Sequence, residues 1–415
     1  MAALFLCTGD KVKQIFDAVI IGGGASGLMC AVAAKRKNRS LRVAVIEKND
    51  RVGKKLLATG NGRCNLTNQN ISAKRYTGSF AKKSRAVFER IDAEKLLSYF
   101  KELGLLASMD SSGRYYPLSK QASSVLDVLR FACERLGVII FCGENIKSVK
   151  RNRNGFYVNT PDNEFECKKL VISCGSKASP KLGGNASAAD YLKNLGHGFI
   201  PFSPALCPIK TDSTLLKSLK GIRANGKASL IRKGRVIKSE DGEIQFTDSA
   251  LSGICVFNLS LYAQNGDKIT IDLLPDISEK ELLSILYANK RRFSNLTADN
   301  LLTGIVQKRL AQAVIKYSGT ADFSKPCSKL NEAEIKRTAH ALKEFCFNVK
   351  ELGGFEQAQC AKGGVPAAEI DEKTMQSKKC RNLYICGEAV DICGECGGFN
   401  LHFAFASGII AGESL

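Results

Sequence analysis

The sequence predicts an α/β protein whose mostly parallel sheet domain is split by a β-rich, barrel-like insert and a small helical subdomain. Three observations carry this expectation. A buried strand runs straight into a glycine turn and a helix over residues 17–37. Short alternating strands fill residues 200–274. Strand, glycine-rich segment and apolar helix then return over residues 371–415.

The first element is Asp17-Ala18-Val19-Ile20-Ile21, a short apolar strand. It enters Gly22-Gly23-Gly24-Ala25-Ser26-Gly27, then a helical stretch from Leu28 to Lys37, and a second apolar strand from Leu41 to Ile46 ends in Glu47. This is G-x-G-x-x-G in the context that gives it meaning, the Rossmann dinucleotide fingerprint. Gly22 permits the turn, Gly24 lets backbone approach a pyrophosphate, and Gly27 lets helix and strand pack closely. Glu47 follows Gly27 by 20 residues, the spacing of an acid that accepts from ribose hydroxyls.

A loop over residues 49–70 follows, then helical patterns at Phe80–Glu89, Ala93–Leu103 and Val125–Leu136. Val138–Phe141 and Ile146–Val149 read as strands. Gly155–Val158 and Glu164–Cys167 read as a hairpin across Pro161-Asp162-Asn163. Leu170–Gly175 reads as another buried strand of the parallel sheet. Beyond Pro201, Pro204 and Pro208 the pattern becomes short strands, among them Lys227–Ile231 and Lys268–Leu273, and residues 278–346 are helical and polar. The expected division is a discontinuous nucleotide domain of residues 1–195 and 350–415, a β-rich insert of 196–277 and 335–349, and a helical subdomain of 278–334.

The 415 residues are 44% apolar, enough for two or three cores. No apolar run reaches the roughly 18 residues of a membrane span. Met1–Cys7 is too short for a signal-peptide core and lacks a basic region before it, so the expectation is a soluble cytoplasmic protein with no membrane partner. The 16 cysteines show no disulfide-scaffold spacing and read mostly as small buried hydrophobes. Net charge is +21. Residues 51–100 hold 11 basic and 3 acidic residues, whereas residues 351–415 hold 5 and 9. Such a basic face suits a polyanion or an anionic substrate; a solvated surface is the plainer reading.

Three further segments bear on chemistry. Gly53–Asn68 contains Gly60, Arg63, Cys64 and Asn65: glycines for close approach, a guanidinium for phosphate, an amide for a polar ring edge. Gly183–Asp190 is a second glycine-rich turn. Leu383–Cys386, Gly387-Glu388 and Gly397-Gly398-Phe399-Asn400-Leu401-His402 form a strand, an acid and a second anion-tolerant helix start. Two such helix starts plus Glu47 suit a dinucleotide held along its whole length, such as FAD.

On these motifs, with Pro180–Gly183, Gly242–Gly253 and Gly363-Gly364-Val365, nearly the whole chain resembles the HI0933-like bacterial flavoproteins. That group of NAD(P)/FAD-dependent oxidoreductases includes a bile-acid reductase and a ribosomal-RNA dihydrouridine synthase. The resemblance implies a Rossmann-like FAD-binding domain with FAD lined by Gly22, Gly24, Ala25, Ser26, Glu47, Lys48, Gly60, Arg63, Cys64, Asn65, Cys174, Gly175, Gly387, Glu388, Asn400 and Leu401. Ile146 would offer a backbone contact to adenine. The chain departs from the pattern at Cys393-Gly394-Glu395-Cys396, where relatives usually carry polar residues, at His402, where Gln is common, and at Cys174, where a small residue such as Thr is usual.

The candidate catalytic residues are Cys64, as proton donor or as a packed thiol, and His402, as an acid near the ring or a side chain capping the closing helix. Cys393 and Cys396 have redox spacing, with coincidence as the rival reading. Lys54 and Lys55 would offset cofactor phosphates or sit in solvent. His197 reads as structural and His340 as a surface residue. No ligand set for zinc is complete, so no metal is expected. The family implies FAD reduced by NAD(P)H and hydride delivery to an activated C=C bond. The charge favours ribosomal RNA as partner and a uridine of large-subunit ribosomal RNA as substrate. The alternatives are a small-molecule ene-reductase or amine oxidase acting on a bile-acid-like or other organic acid, and an RNA-binding protein with structural FAD. The oligomeric state is left open.

Overall fold

The computed structural model describes residues 11–212, 214–320 and 322–415. The Met1–Cys7 run lies outside the described residues. The described residues form two compact units, one of residues 11–204 with 359–415 and one within residues 205–358.

The first unit is built on a seven-stranded sheet. Its centre is the first strand, Val12–Ile21, paired in parallel with Val43–Glu47 on one side and with Asn163–Ile172 on the other. Ile139–Cys142 extends the sheet in parallel beyond Val43–Glu47. Ala18, Val19 and Ile20 are fully buried. A strand covered on both faces reads as a continuous apolar run rather than an alternation, as the sequence does here.

One expectation is revised. The arm Glu164–Cys167 and the buried strand Leu170–Gly175 are one continuous strand, Asn163–Ile172. Its N-terminal half pairs antiparallel with Phe156–Asn159. Its C-terminal half pairs in parallel with Leu383–Ile385, where the chain re-enters the sheet from the second unit. The exposed Lys168 in mid-strand breaks the apolar pattern, and its ammonium reaches Asp17 at 3.0 Å.

The helix after the glycine turn, Ala25–Lys37, packs against the closing helix, Phe399–Glu413. Glycines set how closely they approach. A Cβ on Gly408 would lie 2.4 Å from the Ser26 carbonyl oxygen, and one on Gly412 would lie 2.3 Å from that of Cys30. Ser26 opposite Gly408 and Cys30 opposite Gly412 means that the helices run parallel. Ser26 is the second residue of its helix and Gly408 the tenth of the closing one, so the closing helix starts about eight residues ahead, roughly 12 Å at 1.5 Å per residue.

The second unit is a closed six-stranded antiparallel barrel with helices. Around the barrel run Ile209–Thr211, Ala250–Ser252, Arg235–Phe246, Arg223–Arg232, Lys268–Asp272 and Phe345–Leu352. The helices Glu279–Arg292, Lys308–Tyr317 and Glu332–Lys343 share one apolar core with it, including Leu230, Ile269, Phe345, Leu286, Val314 and Ile335. The strands Lys268–Asp272 and Phe345–Leu352 are antiparallel neighbours in the barrel, and the chain between them forms the three helices that cover its core. No helix among the described residues is long and apolar enough to cross a membrane.

Substituting Gly408→Ala tests the helix contact. Alanine gains about 1 kcal/mol in helix propensity, but its methyl must displace backbone, at about 1–3 kcal/mol. We expect a net loss of roughly 1 kcal/mol in urea unfolding; a net gain would show that the helices are not held at this distance.

Candidate functional site

The glycine turn opens a cavity of about 290 Å³ in the first unit. Gly22 has φ +106°, and a Cβ there would lie 2.5 Å from the Ser173 carbonyl oxygen, so only glycine fits. Ser173 donates from its hydroxyl to the carbonyls of Ile21 and Gly22, at 2.9 and 3.0 Å, and pins the turn to the neighbouring strand. Around Gly24, by contrast, nothing lies within 4 Å of an added Cβ. That open space sits at the start of the helix Ala25–Lys37, which has no side-chain cap and no acid in its first turn. Its first-turn N–H groups therefore have no intrahelical acceptor and face the cavity with the positive end of the dipole.

Glu47 closes the turn. Its Oε2 accepts from the Gly23 N–H at 2.9 Å, and its Oε1 accepts from Asn49 N and Nδ2 at 2.8 and 2.7 Å. These bonds fix the carboxylate while leaving lone pairs for a ligand hydroxyl. A second acid, Glu388, lines the cavity with Oε2 at 2.6 Å from Lys55 Nζ. Burial opposes the charge on Lys55, but the Glu388 carboxylate outweighs it and raises the ammonium above its ordinary value. Glu388 Oε1 is buried with no hydrogen-bond partner. A buried carboxylate oxygen without a donor is costly, and a ligand hydroxyl would satisfy it. The closing helix, again without a side-chain cap or first-turn acid, brings Asn400 and Leu401 to the same cavity.

Of the residues singled out from sequence, the cavity wall contains Gly22, Gly24, Ala25, Ser26, Glu47, Lys48, Ile146, Cys174, Gly175, Glu388, Asn400 and Leu401. The Ile146 carbonyl accepts from the Tyr191 hydroxyl at 3.3 Å. The Cys174 thiol donates to the Ile21 carbonyl at 3.6 Å, and burial pushes it up to about 12.

Six candidates lie elsewhere. Gly60 and Arg63 form an outer loop in which the Arg63 guanidinium stacks 5.1 Å from the Tyr116 ring centroid and donates to the Gly60 carbonyl. Cys64 is fully buried in a left-handed turn at φ 58°, and burial raises its thiol to about 12. It does not line the cavity and is a packed thiol rather than a proton donor. Asn65 is buried against the start of the closing helix, where a Cβ on Gly398 would lie 2.7 Å from Asn65 Oδ1. Gly387 supports Ser26 from behind, since a Cβ there would lie 2.5 Å from its hydroxyl.

His402 is also not an acid of the cavity. Both ring nitrogens are engaged, Nδ1 with Thr67 Oγ1 at 2.8 Å and Nε2 with the Ile91 carbonyl at 3.0 Å, and the ring is fully buried beside Phe88. Burial lowers it to about 4. His197 is likewise held, between Glu369 and Ser377, and His340 is exposed.

The sequence reasoning missed Glu144, Asn145, Tyr191, Gln359 and Cys360, all in the wall. None belongs to a motif, and only the fold brings them in. The Gly183–Ser187 turn, also in the wall, was visible as a glycine-rich segment.

A parallel sheet with a glycine turn, an acid ending its second strand and two bare helix starts on one cavity defines a dinucleotide-binding protein of the Rossmann type. A family model described as HI0933-like protein Rossmann domain matches residues 16–414. The chain belongs to this family of flavin-dependent oxidoreductases with a Rossmann-type FAD-binding fold. It is 33% identical over 401 residues to a 3-dehydro-bile acid delta(4,6)-reductase of Clostridium scindens, covering 95% of this chain and 98% of that one. It is 28% identical over 411 residues to the ribosomal RNA dihydrouridine synthase of Escherichia coli, covering 96% and 98%. Among solved structures it is similar to a 3-ketosteroid delta1-dehydrogenase from Sterolibacterium denitrificans, with a TM-score of 0.49 and 12% identity over 96% of this chain and 99% of that one.

His402 generates a pH prediction. An unfolded histidine titrates near 6.5, and this one near 4. Between those values the unfolded chain binds the extra proton, so stability falls as pH drops from 6.5 towards 4, by up to about 3 kcal/mol. His402→Gln should lose this part of the acid sensitivity. Urea midpoints of both proteins at neutral and acid pH would reveal it, and parallel curves would count against a neutral buried imidazole.

Proposed function

We propose that FAD occupies this cavity, is reduced by NAD(P)H, and serves to saturate an activated carbon–carbon double bond in a uridine of large-subunit ribosomal RNA. The observation that carries the FAD reading is the unpartnered Glu388 Oε1 in a cavity that also receives two bare helix starts. Glu47 would accept from a ribose, Gly24 would admit the pyrophosphate to the helix start, and Glu388, held by Lys55, would accept from a further hydroxyl. When bound, FAD supplies two-electron hydride chemistry, while the protein orients it and excludes water.

The net charge of +21 supports RNA, because a basic surface gains phosphate contacts by releasing counterions. The names of the Escherichia coli and Haemophilus influenzae relatives support uridine. The target base would have to be unstacked or flipped to reach a buried cavity. A second reading, a reductase of a bile-acid-like small molecule, has support from the 33% identical Clostridium scindens relative. Both readings share saturation of a conjugated double bond and differ in substrate.

Two experiments separate these claims. Purified protein should carry FAD, and Gly24→Val, which fills the open space at the helix start, should lower bound FAD at least tenfold, about 1.4 kcal/mol or more. Equal FAD loading of the variant would refute the placement. Dihydrouridine should vanish at one ribosomal position in a strain lacking the gene and return when the gene is restored. An unchanged map, with return of the oxidised-flavin absorbance when a conjugated steroid acid is added to the NAD(P)H-reduced protein, would move the assignment to the small-molecule reading.

A further inference from the structure

We propose that, with RNA as the substrate of the cofactor site as read above, the tip of the hairpin of residues 223–246 is an RNA-binding wedge. Lys233 and Arg235 hold phosphates there, and Val236 and Ile237 press against bases. The strands Arg223–Arg232 and Arg235–Phe246 of the barrel meet in a two-residue turn, Lys233-Gly234. Both turn residues have positive φ, 49° and 77°, the backbone twist that suits a tight hairpin. Glycine adopts that conformation freely and lysine does not, so the turn keeps a cation at its apex against the preference of its backbone.

Just past the turn the register shifts. Arg232 faces Arg235, Ile231 faces Val236 and Leu230 faces Lys238, so Ile237 is an extra residue with no partner opposite, a β-bulge. Consecutive strand residues ordinarily point to opposite faces, and the face turned to a core is covered. Here both neighbours stand in water, Val236 at 62% and Ile237 at 40% exposure. Ile231 also faces the exposed Lys268 of the next strand, which places a further cation in the row of Ile231 and Val236.

Residues 231–238 carry four cations and no acid. Two of the four are engaged within the protein. The Arg232 guanidinium donates to both Asp267 carboxylate oxygens, each at 2.8 Å, and Lys238 pairs with Glu240 at 3.0 Å. These pairs brace the base of the tip and occupy the two carboxylates. Asp241 and Glu243 lie farther along the strand, across from Lys227 and Asn225. Lys233, Arg235 and Lys268 are exposed and form no ion pair among the described residues.

Free cations beside an apolar edge match a nucleic acid. Phosphate oxygens take the ammonium and guanidinium groups, and base faces take the aliphatic ones. Aliphatic wedges separate stacked bases, which is what a buried cofactor site requires of its target uridine. A lipid surface also offers anions and apolar chains, but binding there scales with buried apolar area, and two small aliphatic side chains supply little of it.

The test uses the purified full-length protein with its FAD and a short fluorescein-labelled RNA stem-loop that carries 2-aminopurine beside a loop uridine. Anisotropy over a range of salt concentrations gives the affinity, and brightening of 2-aminopurine reports unstacking. Lys233→Gln with Arg235→Gln should bind at least about tenfold more weakly and lower the slope of log affinity against log salt by about 1–2, for two lost phosphate contacts. Val236→Ser with Ile237→Ser should keep the slope and lose the brightening. Both double variants should keep the wild-type FAD content and circular dichroism. Wild-type affinity, slope and brightening in both variants would overturn the wedge and leave the RNA reading standing. Failure of the wild type to bind the stem-loop at low salt would remove the RNA reading and the wedge with it. Binding to phosphatidylserine vesicles that depends on Val236 and Ile237, without RNA binding, would overturn the proposal in favour of a membrane-facing tip.

Discussion

Close approach of backbone to backbone at the first glycine turn is the constraint on which the site depends. A side chain at Gly22 would strike the strand that carries Ser173, and one at Gly27 would lie 1.9 Å from the Gly22 carbonyl oxygen. With both absent, the helix starts directly over the end of its strand, and its free N–H groups point into the cavity instead of into protein. The Ser173 hydroxyl holds the turn on two carbonyls. Loosening this contact would move the helix start, the Glu47 bond to the Gly23 N–H and the wall residues of the neighbouring strand together.

Charge is arranged around that geometry in two ways. Positive potential comes from helix ends, which cannot rotate away, and from wall lysines such as Lys48 and Lys55, and negative charge comes from Glu47, Glu144 and Glu388. Glu47 is fixed by backbone and by Asn49, so it keeps its orientation whether or not a ligand is present. Glu388 is fixed on one oxygen by Lys55 and left open on the other. A site made this way favours a ligand with phosphates at one place and hydroxyls at others.

The sequence made legible what is local. The turn, its strand and helix, Glu47 and the closing helix follow from glycine placement and apolar runs, and they stand where expected. What failed was inference from motif to contact in the Gly60–Asn65 segment. Its glycines and asparagine do bring backbone into unusual conformations, but Arg63 finds Tyr116, and Cys64 turns inward. His402 was misread because a polar residue in an apolar helix suggests chemistry, whereas two hydrogen bonds to Thr67 and Ile91 make it a core residue. The wall residues Glu144, Tyr191 and Cys360 come from a loop, a helix and the start of a separate strand, and no motif includes them, so only the fold brings them together. The merging of two expected strands into Asn163–Ile172 has a similar cause: a strand that is solvated at one end and buried at the other changes its pattern midway.

The parallel pairing of the two glycine-contacted helices has a consequence for how this site can change over time. Their starts are staggered by roughly 12 Å, and the stagger is counted in residues between Phe399 and Gly408 rather than set by any side chain. The pair works as a caliper. A point substitution at the contact can push the helices apart, but it leaves the count of residues that sets the stagger unchanged. Adding or removing one residue in that stretch would shift one jaw by about 1.5 Å and swing it by about 100°. Drift in sequence can therefore be extensive while ligand length stays constant, and a relative with an insertion there should have exchanged its dinucleotide for a molecule of another size.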